Sequence, residues 1–235
     1  MDARAYAPYI ARMLESLADD VWVASRPLRF FGLEVGTRMT VVRLAGGGLF
    51  IHSPVALDDE TKSEIDALGP VVAIVAPTLF HHLHVAPWVA AYPKATVSGC
   101  PGMAKKRTDV AWTRTLGDEP AEEWKDSLEQ VFFGALAMQN EVVFFHPKSK
   151  TMITSDVVFD LVSHPSMFTR AVSYAIGHWS TGPTLLERVM MGDRKVAKEQ
   201  IGRMVAWNAD RLILAHGNVI PSNGSKVLEK GYAWL

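Results

Sequence analysis

The 235-residue chain has one cysteine, Cys100. An intramolecular disulfide is therefore impossible, and cysteine usage carries no mark of an oxidising compartment. The chain also lacks an excess of either charge, with 24 basic against 25 acidic residues and a formal net charge of −1. Its nearest approach to a basic run is Lys105-Lys106-Arg107. Three residues fit a solvated loop better than the basic face a nucleic-acid partner requires. No stretch reaches the roughly 18 uncharged apolar residues of a membrane span. After Met1-Asp2-Ala3-Arg4, residues Arg12, Glu15 and Asp19 interrupt any apolar signal core. There is no Gly-x-Ser-x-Gly elbow, phosphate loop or Gly-x-Gly-x-x-Gly, which removes the usual motifs of serine hydrolases and nucleotide binders. The expectation is a cytoplasmic soluble protein with no nucleic-acid or membrane partner.

What is present reads as one globular domain over residues 1–235. Hydrophobic residues make up 49% and charged residues 21%, which is ordinary globular usage. Neither a repeat nor a linker divides the chain. Apolar positions Tyr6, Tyr9, Ile10, Met13, Leu14 and Leu17 have helical spacing and predict a helix over 3–18. From Val21 the pattern turns to strands: 21–23, 28–31 and 39–44, then 49–51 after the turn Gly46-Gly47-Gly48. A helix over 58–68 begins with acidic residues and stops at Gly69. The apolar run 71–76 predicts a strand buried on both faces. A helix over 85–92, a strand at 96–98 and a polar segment anchored by Val110, Trp112, Leu116 and Trp124 follow. A second β block covers 130–133, 141–145 and 151–154. Residues 165–207 read as mainly helical, and 211–215 as a closing strand. Two sheets packed face to face with helices outside would bury all of these elements.

Polar residues gather at strand ends. His52 ends one strand; His81, His82 and His84 follow another; Asp156 follows a third; His216 ends the last. Strand ends meeting loops are where sites form, and imidazole with carboxylate suits zinc, iron or manganese. Adjacent histidines point to opposite faces of a strand, so His81 and His82 share an ion only from a turn or the start of a helix. Spacing alone leaves blander roles open. His84 reads as a helix-start or surface residue, His146 as solvent-facing, and His164 and His178 as packing residues. His52 is balanced between capping a turn and lining a site. Asp156 and His216 are compatible with turn capping as well as ligation. Cys100, with no paired histidine evident, reads as a plain small residue.

The stretches Pro27–Thr40, Leu49–Pro54, Val75–Leu83, Glu141–His146 and Ile153–Asp156 resemble the metallo-β-lactamase superfamily, and within it a divergent group of the DUF4336 type. The resemblance covers the whole chain and implies an αββα sandwich of two packed mixed β-sheets, with the site at one edge. In the superfamily a His-x-His-x-Asp-His motif follows an apolar strand. With His81 and His82 in its last two places, Pro77 and Leu79 fall where its first two histidines belong. The next histidine is expected near Ala137–Asn140, where there is none. Asp156 matches the metal-bridging aspartate and His216 the final histidine.

The ligands of one of two metal positions are thus missing. The resemblance implies at most one divalent ion, zinc first and iron or manganese next, held by His81, His82, Asp156 and His216, with Asp156 also orienting or deprotonating a water. Their side-chain ligand atoms are expected within about 5 Å of one another. The implied function is a mononuclear metal-dependent hydrolase of unknown substrate. The alternative is a binding or structural protein that keeps the fold without metal chemistry. Four protein ligands would crowd out the open position that hydrolysis needs.

Overall fold

The computed structural model describes residues 14–30 and 32–235. Strands β1 (Glu15–Ala18) and β2 (Val21–Arg26) begin the first sheet, and β3 (Arg29–Phe30) with β4 (Leu33–Glu34) forms a separate small hairpin. Strands β5 (Thr37–Arg43) and β6 (Leu49–His52) return to the sheet. Helix α1 (Asp59–Leu68) leads to β7 (Val71–Ala76), α2 (Val85–Ala91) to β8 (Thr96–Gly99), and α3 (Met103–Lys106) to β9 (Arg114–Thr115). The order is β1-β2-β5-β6-β7-β8-β9. It is antiparallel as far as β6 and parallel beyond, where helices make the crossovers.

The second sheet has the order β10 (Glu129–Phe133), β11 (Glu141–His146), β12 (Thr151–Ile153), β13 (Arg211–Ile213). Its last pair is parallel. Helices α4 (Met167–Ala175), α5 (Leu185–Met190) and α6 (Arg194–Ala206) lie between β12 and β13 in sequence, and α7 (Gly224–Gly231) follows.

The layering follows from side-chain alternation along each strand. Leu49 and Ile51 of β6 pack outward with Ile65 of α1 and Trp88 of α2. Phe50 faces inward, meeting Phe144 of β11 at a ring separation of 5.1 Å and sharing a cluster with Ile153 and Ile213. Val143 and Phe145 of β11 face the opposite way, onto Ala197, Ile201 and Met204 of α6 and Leu228 of α7. Three apolar layers therefore separate four structural ones, and the expected αββα sandwich is what the chain forms.

Some local expectations change. The proposed helix over 3–18 falls largely on residues 1–13, outside the described ones, and its end is strand β1 instead. Pairing of Glu15 and Ser16 with β2 takes precedence over local periodicity there. His146 is buried at the end of β11 rather than solvent-facing, with Nδ1 2.7 Å from the Ser149 hydroxyl. Cys100 is buried in the apolar cluster under α2 and α3, and burial pushes its thiol up to about 12, as befits a packing residue. His84 does open α2, as its N-cap.

Candidate metal centre

The site lies where β6, β7, β12 and β13 end. Beyond β7, Pro77 accepts a hydrogen bond from the Val142 amide (2.9 Å), and Leu79 donates one to Gln139 (2.8 Å). These bonds tie the loop to the second sheet. A turn from Thr78 to His81 follows, closed by the His81 amide on the Thr78 carbonyl at 3.3 Å. It turns the His81 ring into the protein. Ser53, just past β6, adopts a left-handed conformation (φ 53°), and its hydroxyl lies 2.5 Å from His81 Nδ1.

Asp156 is held by a buried carboxylate on the neighbouring strand. Glu141 Oε1 accepts from the Ser155 amide at 2.6 Å, and Oε2 accepts from the Asp156 and Val157 amides at 2.7 and 2.8 Å. Three otherwise orphaned donors of a tight turn are satisfied by one side chain. Burial, and then the charge of Asp156, push the Glu141 carboxyl above the usual carboxylate range, while the three amides oppose that rise. Asp156 Oδ2 accepts the Thr78 hydroxyl at 2.7 Å.

His216 comes from the segment after β13. Arg38 of β5 donates through Nη1 to the Leu214 carbonyl, pinning that segment across the two sheets. His216 Nδ1 donates to the Gly36 carbonyl at 2.7 Å, and its ring stacks on Phe159 at 5.7 Å between centroids. A carbonyl only accepts, so Nδ1 carries hydrogen and Nε2 of the neutral ring presents a lone pair.

These anchors bring His81, Asp156 and His216 together as a buried group. His81 Nε2 lies 3.2 Å from His216 Nε2 and 3.3 Å from Asp156 Oδ1, and His216 Nε2 lies 3.4 Å from the same oxygen. Burial on its own would raise Asp156, but the neighbouring His81 and His216 imidazoles hold it far below the usual carboxylate range. In the tautomer in which His81 Nδ1 donates to the Ser53 hydroxyl, three acceptor atoms converge on one point, and such a set calls for a cation. A point equidistant from three atoms at those separations lies about 1.9 Å from each in their plane. Just above the plane this becomes the roughly 2.0–2.2 Å of zinc bonds to nitrogen and oxygen. The donor set fits a divalent ion.

His82 is not part of this group. Its carbonyl and Nδ1 accept from Arg107 Nη1 at 2.6 and 3.0 Å. Burial, then the charges of Lys106 and Arg107, lower it to about 4. The four-residue convergence expected from sequence is corrected to three. A second turn, closed by the Val85 amide on the His82 carbonyl at 3.3 Å, starts immediately after His81, so the two rings leave the chain in different directions. His52 is buried on the inner face of β6 against Phe144 (5.6 Å between centroids), and its Nε2 has no hydrogen-bond partner. Burial, then His81, lower it to about 3. The anchors Ser53, Thr78, Glu141 and Gly36 were not singled out from the sequence. Their partners lie 28, 78, 15 and 180 positions away, so no local pattern marks them.

Two mixed sheets with helices outside and a histidine–carboxylate group at one edge define the metallo-β-lactamase fold. Solved structures bear this out across nearly the whole chain. A metallo-beta-lactamase from Pontibacter korlensis is 15% identical, covering 93% of this chain and 96% of its own, with a TM-score of 0.64. The enzyme FIM-1 from Pseudomonas aeruginosa, solved in a mono-zinc form, is 11% identical, covering 97% of both chains, with a TM-score of 0.63. A metallo-beta-lactamase from Erythrobacter litoralis is 10% identical over 94% of this chain and 96% of its own, at a TM-score of 0.66. At such identities the likeness shows the fold alone. The family model for a domain of unknown function, DUF4336, matches residues 18–223, and the chain belongs to that family. No curated protein matches it.

Proposed function

We propose that this protein is a mononuclear metal-dependent hydrolase of a small molecule, with one divalent ion, zinc foremost, held by His81, Asp156 and His216. The observation that carries this reading is the approach of His81 Nε2, Asp156 Oδ1 and His216 Nε2 to within 3.2–3.4 Å in a buried group, with Gly36 fixing the His216 tautomer. Three protein ligands are the number found in catalytic zinc sites, which keep the fourth position for water or substrate. The departure of His82 therefore restores the open position that a four-ligand site would lack. Support also comes from the mono-zinc form of FIM-1, a protein of the same fold.

A bound divalent ion supplies Lewis-acid polarisation of a scissile carbonyl or phosphoryl group and acidifies water toward neutral pH. The chain's own residues hold that chemistry in place. Gly36 fixes the His216 ring, Ser53 the His81 ring, and Thr78 the rotation of the Asp156 carboxylate; such supporting bonds orient ligands and tune their basicity. Asp156 Oδ2 retains a lone pair beyond the Thr78 hydroxyl, through which it orients a water or takes its proton. A cytoplasmic site of action goes with this reading, and no helix among the described residues is long and apolar enough to cross a membrane.

A second reading rests on the same 3.2 Å contact between the histidine Nε2 atoms. One shared proton on the histidine pair would also satisfy it, leaving a metal-free binding protein. Zinc-loaded protein assayed on a panel of small esters, amides and phosphoesters separates the two. The hydrolase reading expects turnover that chelation abolishes and that Asp156→Asn lowers by about 100-fold or more. Turnover equal to that of Asp156→Asn on every member would favour the second reading.

A further inference from the structure

Helices α4 and α5 are amphipathic with the faces reversed. In α4 the inward residues are Thr169 and Ser173, while Met167, Phe168 and Tyr174 stand in solvent. In α5 the buried residue is Glu187, whose carboxylate accepts from the Thr184 amide at 2.7 Å, and Leu185, Leu186, Val189 and Met190 are exposed. The connection between them adds Ile176 and Trp179, both exposed, with the indole Nε1 donating to the Tyr174 carbonyl at 3.0 Å. Gly177 (φ 86°) lets the end of α4 approach the start of α5 so closely that a Cβ there would overlap the Leu185 side chain. The two exposed faces therefore adjoin.

These nine side chains are between 43% and 75% exposed. Together they present on the order of 1,000 Å² of apolar surface, far above a typical scattering of single residues and above the roughly 800 Å² per partner of a stable interface. Met167, Phe168, Tyr174, Trp179 and Met190 are of the types enriched at interface centres, where charge is depleted. Across residues 165–192 the only acid is the buried Glu187 and the only Lys or Arg side chains are Arg170 and Arg188, both partly buried; the Arg188 guanidinium turns aside onto the Trp234 ring at 5.6 Å.

We propose that this face is the interface of a homodimer, in which α4 and α5 of one copy pack on the same helices of a second. An isologous contact apposes a patch with itself, and an apolar patch with so little free charge does so without like-charge repulsion. A bilayer-seated helix instead directs a basic polar face toward headgroups, whereas the polar faces of α4 and α5 are buried in their own protein. The contact borders the small hairpin, because Thr169 Oγ1 of α4 donates to the Glu34 carbonyl of β4 at 3.3 Å.

Sedimentation equilibrium of the whole chain at about 1–100 μM tests this. The expected species has twice the 25.9 kDa chain mass. Phe168→Glu and Val189→Glu, tested separately, should each weaken dimerisation by about 100-fold or more while leaving circular dichroism unchanged, since both side chains are exposed, and should lower Tm only at concentrations where the wild type is dimeric. A wild-type monomer throughout that range, or a dimer that both variants leave intact, overturns the proposal. Cosedimentation of a monomeric wild type with phosphatidylcholine–phosphatidylglycerol vesicles overturns it as well and gives the face to a bilayer.

Discussion

The site edge and the α4–α5 pair break the usual sorting of polar and apolar residues in opposite directions. At the site edge, His52, Ser53, Thr78, His81, Glu141, Asp156 and His216 are all buried. Along α4 and α5, Met167, Phe168, Tyr174 and Val189 are each about two-thirds exposed or more. Buried polar groups and large exposed apolar patches are the informative exceptions in a folded protein. Each is costly unless something completes it. Within the chain, hydrogen bonds complete most of the site edge. The converging acceptors there call for a cation, and the helix pair calls for another surface.

The difference can be broken at several points. Glu141→Ala should have the largest effect on stability, because it strands three buried amides. A loss of about 3 kcal/mol or more in urea unfolding is expected; less than about 1 kcal/mol would mean that the Asp156 turn holds itself. His52 comes next. Its folded pKa of about 3 lies below the unfolded 6.5, so the stability it contributes is present above pH 6.5 and is lost as pH falls toward 3. The stability gap between wild type and His52→Gln should shift by about 2–3 kcal/mol against wild type between about pH 7.5 and 4.5. A gap independent of pH would show that His52 is solvated.

Thr78→Val sharpens the distinction between holding the fold and holding the ion. It removes the hydroxyl that donates to Asp156 Oδ2 and accepts from the Phe80 amide at 3.0 Å, and zinc affinity measured by competition with a chelating dye should fall about 10–100-fold with a stability loss of only about 1 kcal/mol. Unchanged affinity would make Thr78 a packing residue. The smallest effect belongs to the exposed helices. Val189→Ser should alter the stability of the monomer by no more than about 0.5 kcal/mol, whereas a larger loss would place Val189 in the core.

The sheets were legible because their strands alternate or run apolar and are bounded by turn residues. Asp156 and His216 were legible as polar residues at strand ends, with the family resemblance adding their roles. His81 and His82 were legible only as a pair, since the turn that separates their directions depends on contacts with Gln139, Val142 and Arg107. Glu141 read as one more strand residue because its value lies in amides 14–16 positions away. The periodicity of 165–192 indicates helices but cannot tell which face meets solvent, and here it is the apolar one. At β1, pairing with β2 settled a segment whose spacing is helical.

The most direct test is the metal content of purified protein loaded with zinc and dialysed, compared among wild type, His82→Ala and His216→Ala. The account predicts about one equivalent in wild type and in His82→Ala, and less than about 0.1 in His216→Ala, where an incomplete shell remains. Loss of the ion in His82→Ala to the same extent, or two equivalents in wild type, would contradict the three-ligand site. No ion in wild type with zinc, iron or manganese would contradict the metal centre itself.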